Sequence, residues 1–228
     1  MRIRRWRGVT VLVTAVALLT TWLPAMTASA APSSVGGIGG LQGVYCTSAT
    51  NCWAVGDSLV HNADVNQMLR WDGMRWAKVS VPSPGGTKMG AFSDLFAIRC
   101  TTAGSCWAVG DFDHGGAVLN QILRWNGQKW RISTGVPQPG KTGSGNVSQL
   151  NAVACTSAKS CWADGQYGSP GSDGQLVLNQ ALRWNGMKWT QVRTPNPGGT
   201  SDGDQSEINS IRCASAKDCW AVDRKSVV

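Results

Sequence analysis

The chain repeats itself. Two cysteines six positions apart, followed at once by Trp-Ala, occur four times. They are Cys46 and Cys52 in CTSATNCWAVGD, Cys100 and Cys106 in CTTAGSCWAVGD, Cys155 and Cys161 in CTSAKSCWADGQ, and Cys213 and Cys219 in CASAKDCWAVDR. The first cysteines of successive pairs are 54, 55 and 58 residues apart. A second motif follows each of the first three: NQMLRWDGMRW from Asn66, NQILRWNGQKW from Asn120 and NQALRWNGMKW from Asn179. A period of this size marks one supersecondary unit per repeat, with the core formed where neighbouring units stack. The units run over 41–94, 95–149 and 150–207, with a partial fourth over 208–228.

Each unit reads as four short strands. Leu95 to Cys100 is the first, matched by Leu41 to Cys46, Leu150 to Cys155 and Ile208 to Cys213. Cys106 to Gly110 returns as the second, and Gly110 is expected to release the chain into a loop that carries His114, as His61 is carried in the first unit. The third strand, Asn120 to Trp125, alternates so that Gln121, Leu123 and Trp125 share one face and Asn120, Ile122 and Arg124 the other. Asn126-Gly127 makes the tight turn, Trp130 to Ser133 returns, and the Pro-x-Pro-Gly segment ends the unit. Helical apolar spacing is absent after the leader. A repeated four-stranded meander predicts an all-β, β-propeller-like domain of three complete blades and a half blade; the near-identity of the copies favours this over a sandwich. Four or more blades are needed to close a ring, so the ring is expected to be incomplete, a truncated copy being one reading. An open edge at Cys219–Val222 is then expected to favour self-association.

The first 30 residues read as a secretory signal peptide. Arg2, Arg4, Arg5 and Arg7 form the positive head, Val9 to Leu23 the apolar run, and Ala28-Ser29-Ala30 the cleavage pattern. The apolar run is short for a membrane span, so no stable span is expected after cleavage. Residues 31–40 form a linker to the repeat domain, 41–228. Cleavage after Ala30 lowers the formal charge from +8 to +4, because the leader carries four arginines and no acidic residue. The remaining Lys and Arg are scattered, which argues against a nucleic-acid partner. All eight cysteines lie after the leader, in a chain bound for an oxidising compartment, and read as disulfides 46–52, 100–106, 155–161 and 213–219. Cys-x5-Cys is not a usual zinc spacing, and neither a metal nor another cofactor is implied.

Ten of the twelve tryptophans fall in repeated slots. Their regularity reads first as packing between blades; the pairs that flank the hairpin turn, Trp71/Trp76, Trp125/Trp130 and Trp184/Trp189, are the candidate ligand contacts, with His61 and His114. Arg70, Arg124 and Arg183 recur before a tryptophan and are expected to form an ion pair or to stack on a neighbouring ring. Asp57, Asp111 and Asp164 are read as turn residues. The single Glu after the leader is Glu207, so any acid–base pair for glycoside chemistry would draw on Asp57, Asp64, Asp94, Asp111, Asp113, Asp173, Asp202 and Asp204. Convergence of Asp57, His61, Asp111 and His114 on one pocket would favour an enzyme. No catalytic constellation stands out in the sequence itself.

CTSA-x-x-CWAVG together with LRW-[DN]-G-x-x-W resembles the repeats of secreted actinobacterial β-propeller proteins, of the kind labelled kelch-like or galactose-oxidase-like from their fold. The resemblance spans about 41–222 and implies a propeller. The function expected is a secreted binding or scaffold module for a glycan, an envelope polymer or a protein; the alternatives are a carbohydrate-active enzyme and a copy without independent function. Mass spectrometry of the exported chain, without reduction, is expected to give a mature protein starting at Ala31 and lighter by eight hydrogens than the all-thiol form.

Overall fold

The computed structural model describes residues 39–169 and 176–225. The leader, most of the linker and Asp173 lie outside the described residues. Those described are all-β. The first sheet is the meander β1 (Leu41–Ser48), β2 (Asn51–Val60), β3 (Ala63–Trp71) and β4 (Trp76–Lys78). The second meander is β5 (Ser93–Thr102), β6 (Ser105–His114), β7 (Ala117–Trp125) and β8 (Trp130–Ile132). The third is β9 (Val147–Ser157), β10 (Ser160–Ser169), β11 (Leu176–Trp184) and β12 (Trp189–Val192). A fourth, two-stranded sheet holds β13 (Ser206–Ser215) and β14 (Asp218–Lys225).

Successive meanders meet at one parallel contact at the start of each third strand. Val118 pairs with Val147, which joins the second and third meanders into one eight-stranded sheet. Asp64 with Phe92 and Val177 with Gln205 repeat the contact as isolated bridges. β1 packs on β5, β5 on β9 and β9 on β13, and all four first strands line one cavity of about 260 Å3. The arrangement is propeller-like; the described sheets do not close a ring.

Two expectations are corrected. The second strand does not end at its glycine: β6 runs on to His114 and β2 to Val60. Gly110 sits instead where the register slips between Leu95 and Ala97, and a Cβ on it would strike the carbonyl oxygen of Asp94. It is a bulge glycine inside the sheet, demanded by the close approach of β5. The chain turns later, at His61-Asn62 (φ 51° and 63°) and at Gly115-Gly116 (φ 64° and 79°). Two consecutive positive φ values make the type I′ turn that matches strand twist, so both histidines belong to hairpin turns or their margins rather than to loops.

The core lies between sheets. Trp53, Val55 and Met68 of the first sheet pack on Leu95, Ile98, Ala108, Leu123, Trp125 and Trp130 of the second. Trp107, Val109 and Ile122 of the second pack in the same way on Leu150, Val153, Ala163, Leu182, Trp184 and Trp189 of the third. The alternation expected for the third strand decides this: Leu123 and Trp125 face the preceding sheet, Ile122 the following one. Each disulfide, Cys46–Cys52, Cys100–Cys106, Cys155–Cys161 and Cys213–Cys219, joins directly opposed residues of one hairpin with Cα atoms 3.9–4.0 Å apart. Loop closure over so few residues adds about 2 kcal/mol per unit by the chain-entropy account.

The Asn-Gln pair that opens each third strand forms a buried ladder from sheet to sheet. Asn66 Nδ2 donates to Gln121 Oε1 and Gln121 Nε2 to Asn66 Oδ1, both at 2.9 Å. Asn120 and Gln180 make the same exchange at 3.0 and 2.9 Å. Gln121 Nε2 also lies 2.7 Å from the carbonyl oxygens of Asp94 and Asp111. Gln67 has no such partner, because no sheet precedes its own among the described residues. Replacing Gln121 by Leu strands several buried polar groups and is expected to cost about 3 kcal/mol of unfolding free energy in urea, against less than about 1 kcal/mol for Gln67→Leu.

Candidate functional site

The structure places most of the sequence-predicted contact residues in the scaffold. Trp125, Trp130, Trp184 and Trp189 are buried. Trp53 lies 5.0 Å from Trp125 and 5.4 Å from Trp130, centroid to centroid, and Trp107 lies 4.9 Å and 5.3 Å from Trp184 and Trp189. Trp71 and Trp76 form a similar pair, 5.7 Å apart, with no third indole against them among the described residues; Trp76 is exposed. The recurring arginines stack as expected: Arg70 over Trp53 at 5.3 Å, Arg124 over Trp107 at 5.0 Å and Arg183 over Trp162 at 5.5 Å. His61 and His114 are exposed and line none of the cavities described here.

The aspartates are the surprise. Asp57, Asp111 and Asp164 are not turn residues; they lie within β2, β6 and β10. Asp111 is 5 % exposed, and its Oδ1 has no hydrogen-bond partner among the described residues. Its direct cross-strand partner on β5 is Asp94, half-buried, with Oδ1 likewise unpartnered. Both carboxyls line a cavity of about 370 Å3 between the second and third sheets, walled by Phe92, Phe96 and Tyr167 and by the amides of Gln149 and Gln166.

This address differs from sheet to sheet. Asp94 faces Asp111 in the second, Gln149 faces Gln166 in the third, and Glu207 faces Arg224 in the fourth. The glutamines bond to each other, Gln166 Nε2 to Gln149 Oε1 at 2.9 Å, which leaves the aspartate pair as the unsatisfied wall. The variation was visible in the residue after each strand glycine: Asp57, Asp111 and Gln166. Reading Asp57 and Asp111 as turn residues hides it.

Burial sets the electrostatics. Desolvation first, and then the Asp94 charge, hold the Asp111 carboxyl up to about 8. Asp94 is raised to about 6 by desolvation and by Asp57 and Asp64. Of the expected group of Asp57, His61, Asp111 and His114, only Asp111 lines this cavity; Asp57 acts on it only at a distance, through its charge on Asp94. Asp64 approaches the same field from the start of β3, while Asp113, Asp202 and Asp204 line no part of this cavity. Among the described residues no group of three His, Cys, Asp or Glu could hold a metal ion, and no helix is long and apolar enough to cross a membrane.

No family model matches the chain, and no curated protein does. Among solved structures it is similar to a GH74 xyloglucanase from Xanthomonas campestris, with a TM-score of 0.45 and 13% sequence identity over 76% of this chain. The chain spans 25% of that enzyme's length. The propeller-like description therefore rests on the strand order and sheet packing above, and the kelch-like and galactose-oxidase-like labels gain no support.

A carboxyl whose folded-state value lies above its unfolded one stabilises the fold below about pH 4 and loses that contribution as pH rises to about 8. Urea unfolding is thus expected to show stability falling between pH 4.5 and 8.5. Asp111→Asn is expected to flatten the slope, with a gain on the order of 1–3 kcal/mol confined to the alkaline side.

Proposed function

We propose that this chain is a secreted, propeller-like binding module whose ligand site is the pocket around Asp94 and Asp111, and that the ligand is a polyhydroxylated, saccharide-type molecule. The observation that carries the reading is the unpartnered, buried Asp111 Oδ1 in a wall that also holds the Asp94 carboxyl, aromatic rings, valines and amides. Carboxyl oxygens accept hydrogen bonds from vicinal hydroxyls, the amides of Gln149 and Gln166 donate and accept, and Phe92, Phe96 and Tyr167 offer faces to the C–H surface of a sugar ring. Export is supported by the leader sequence. A glycan-binding screen followed by calorimetry tests the reading: Asp111→Ala is expected to weaken binding at least tenfold, while Trp76→Ala, on the exposed pair of the first sheet, leaves it unchanged. Binding indifferent to Asp111→Ala, or abolished by Trp76→Ala, moves the site elsewhere.

One observation favours hydrolysis as a second reading. Asp94 and Asp111 are opposed across an antiparallel pair, where Cβ atoms lie about 4.5–5.5 Å apart, closer to the spacing of a nucleophile and an acid than to that of an inverting pair. Near neutral pH one would keep its proton while the other is ionised. Release of chromophore from aryl glycosides, with a bell-shaped pH profile bounded near 6 and 8 and loss in both Asp94→Asn and Asp111→Asn, would establish the enzyme; a flat zero leaves the binding module.

A further inference from the structure

Every first strand carries the same irregularity. Its register against the second strand slips once in each sheet, at Gln42, Phe96, Asn151 and Asn209. A bulge of this kind frees one residue from the ladder and re-aims its side chain. All four bulge residues line the central cavity of about 260 Å3, and so do the residues three positions further on, Tyr45, Arg99, Ala154 and Arg212. Each of this second row stands directly across the ladder from a repeated tryptophan: Trp53, Trp107, Trp162 and Trp220.

The tryptophan is the same in all four copies, and the residue opposite it is not. The second row reads Tyr, Arg, Ala, Arg, and the bulge row Gln, Phe, Asn, Asn. Positions that only pack are held constant along this chain; those that share the central space vary. Charge in that space is also unbalanced. Arg99 and Arg212 are the charged members of the described lining, and no carboxylate joins them there. Neither side chain has a hydrogen bond or an ion pair among the described residues. Glu207 lies outside the lining and accepts from Asn151 Nδ2 at 3.2 Å. The same nitrogen donates to the carbonyl oxygen of Ile208 at 3.0 Å, so Asn151 braces the third sheet against the fourth.

Arg99 carries the argument. Its guanidinium carbon lies 4.4 Å from the centroid of the Tyr45 ring, which fixes the group, while Nε is buried with no partner. A buried donor on a charged group is costly to leave unmet. Arg99 belongs to the second sheet, which has a complete four-stranded sheet on either side.

We infer that the central cavity is a binding site for a small oxyanion, a carboxylate or a phosphate, with Arg99 as the anchor and Arg212 as the second cation. A guanidinium offers N–H groups in a fixed plane that match paired oxygens. Ala154, on the strand between those of the two arginines, leaves the space unfilled. Gln42 and Asn209 add amides to the wall. The site is independent of the one around Asp94 and Asp111, from which it differs in sign of charge; Phe96 lines both cavities.

The probes are inorganic phosphate and galacturonate, titrated separately into the oxidised full chain at pH 7 by calorimetry, with sodium chloride holding the ionic strength at about 0.15 M. Saturable one-to-one binding of at least one probe is expected, and which one binds tells a phosphate site from a carboxylate site. Arg99→Gln and Arg212→Gln should each weaken it about tenfold or more, and Arg99→Lys, which keeps the charge but loses the fork, should restore only part. Arg212 is exposed, so its variant serves even where Arg99→Gln disturbs the fold. Arg131→Gln removes an equal charge from β8 and should change nothing. The inference is overturned by saturable binding of neither probe, by binding indifferent to Arg212→Gln, or by an equal loss in Arg131→Gln.

Discussion

The rest of the structure depends on one indole set between two others. A single four-stranded meander has two faces to cover and no second layer of its own, so it acquires a core only when Trp53 or Trp107 enters the space between the tryptophans of the following hairpin. Aromatic contacts of this kind add about 0.5–1.5 kcal/mol each beyond the area they bury. Arg70 and Arg124 stack over the same rings and help to bury them completely, and the Asn–Gln exchange fixes the height at which one sheet meets the next. Apolar packing supplies the attraction; the amide ladder supplies the register, because a sheet displaced by one residue would leave Gln121 and Asn66 buried and unpaired.

The sequence showed the scaffold well because scaffold positions repeat. Cysteine spacing located every hairpin staple, and the alternation in NQILRW correctly divided Asn120, Ile122 and Arg124 from Gln121, Leu123 and Trp125. Less was legible at the site. Gly110 looked like a strand end because glycine usually interrupts strands; only the close passage of β5, a contact remote in sequence, makes it part of the sheet. That error carried Asp57, Asp111 and Asp164 out of the strands and concealed two addresses where the copies differ, the position after the strand glycine and the position before it. The partnership of Asn with Gln was equally hidden, since each amide bonds to a residue some 55–60 positions away.

Asp111 and Asp164 solve different problems with the same residue type. Asp111 sits beside Asp94 in the wall of a cavity, where a carboxyl whose proton is held to about 8 can accept or donate a hydrogen bond. Asp164 occupies a core position, raised to about 7 by desolvation alone, and lines the cavity between the third and fourth sheets. A repeat architecture permits this division, because a substitution in one copy alters one interface while the other copies continue to hold the fold.

The disulfides carry a consequence for how such a chain comes apart. Each closes inside a single hairpin, and none ties a sheet to its neighbour. Covalent chemistry therefore protects the smallest unit and leaves the assembly of units to side-chain packing, the amide ladder and one short parallel backbone contact per junction. Pulled from its ends, the chain would peel sheet from sheet, each freed segment keeping one knotted hairpin as a compact bead. Allowed to relax, it would begin again from four nuclei already folded back on themselves.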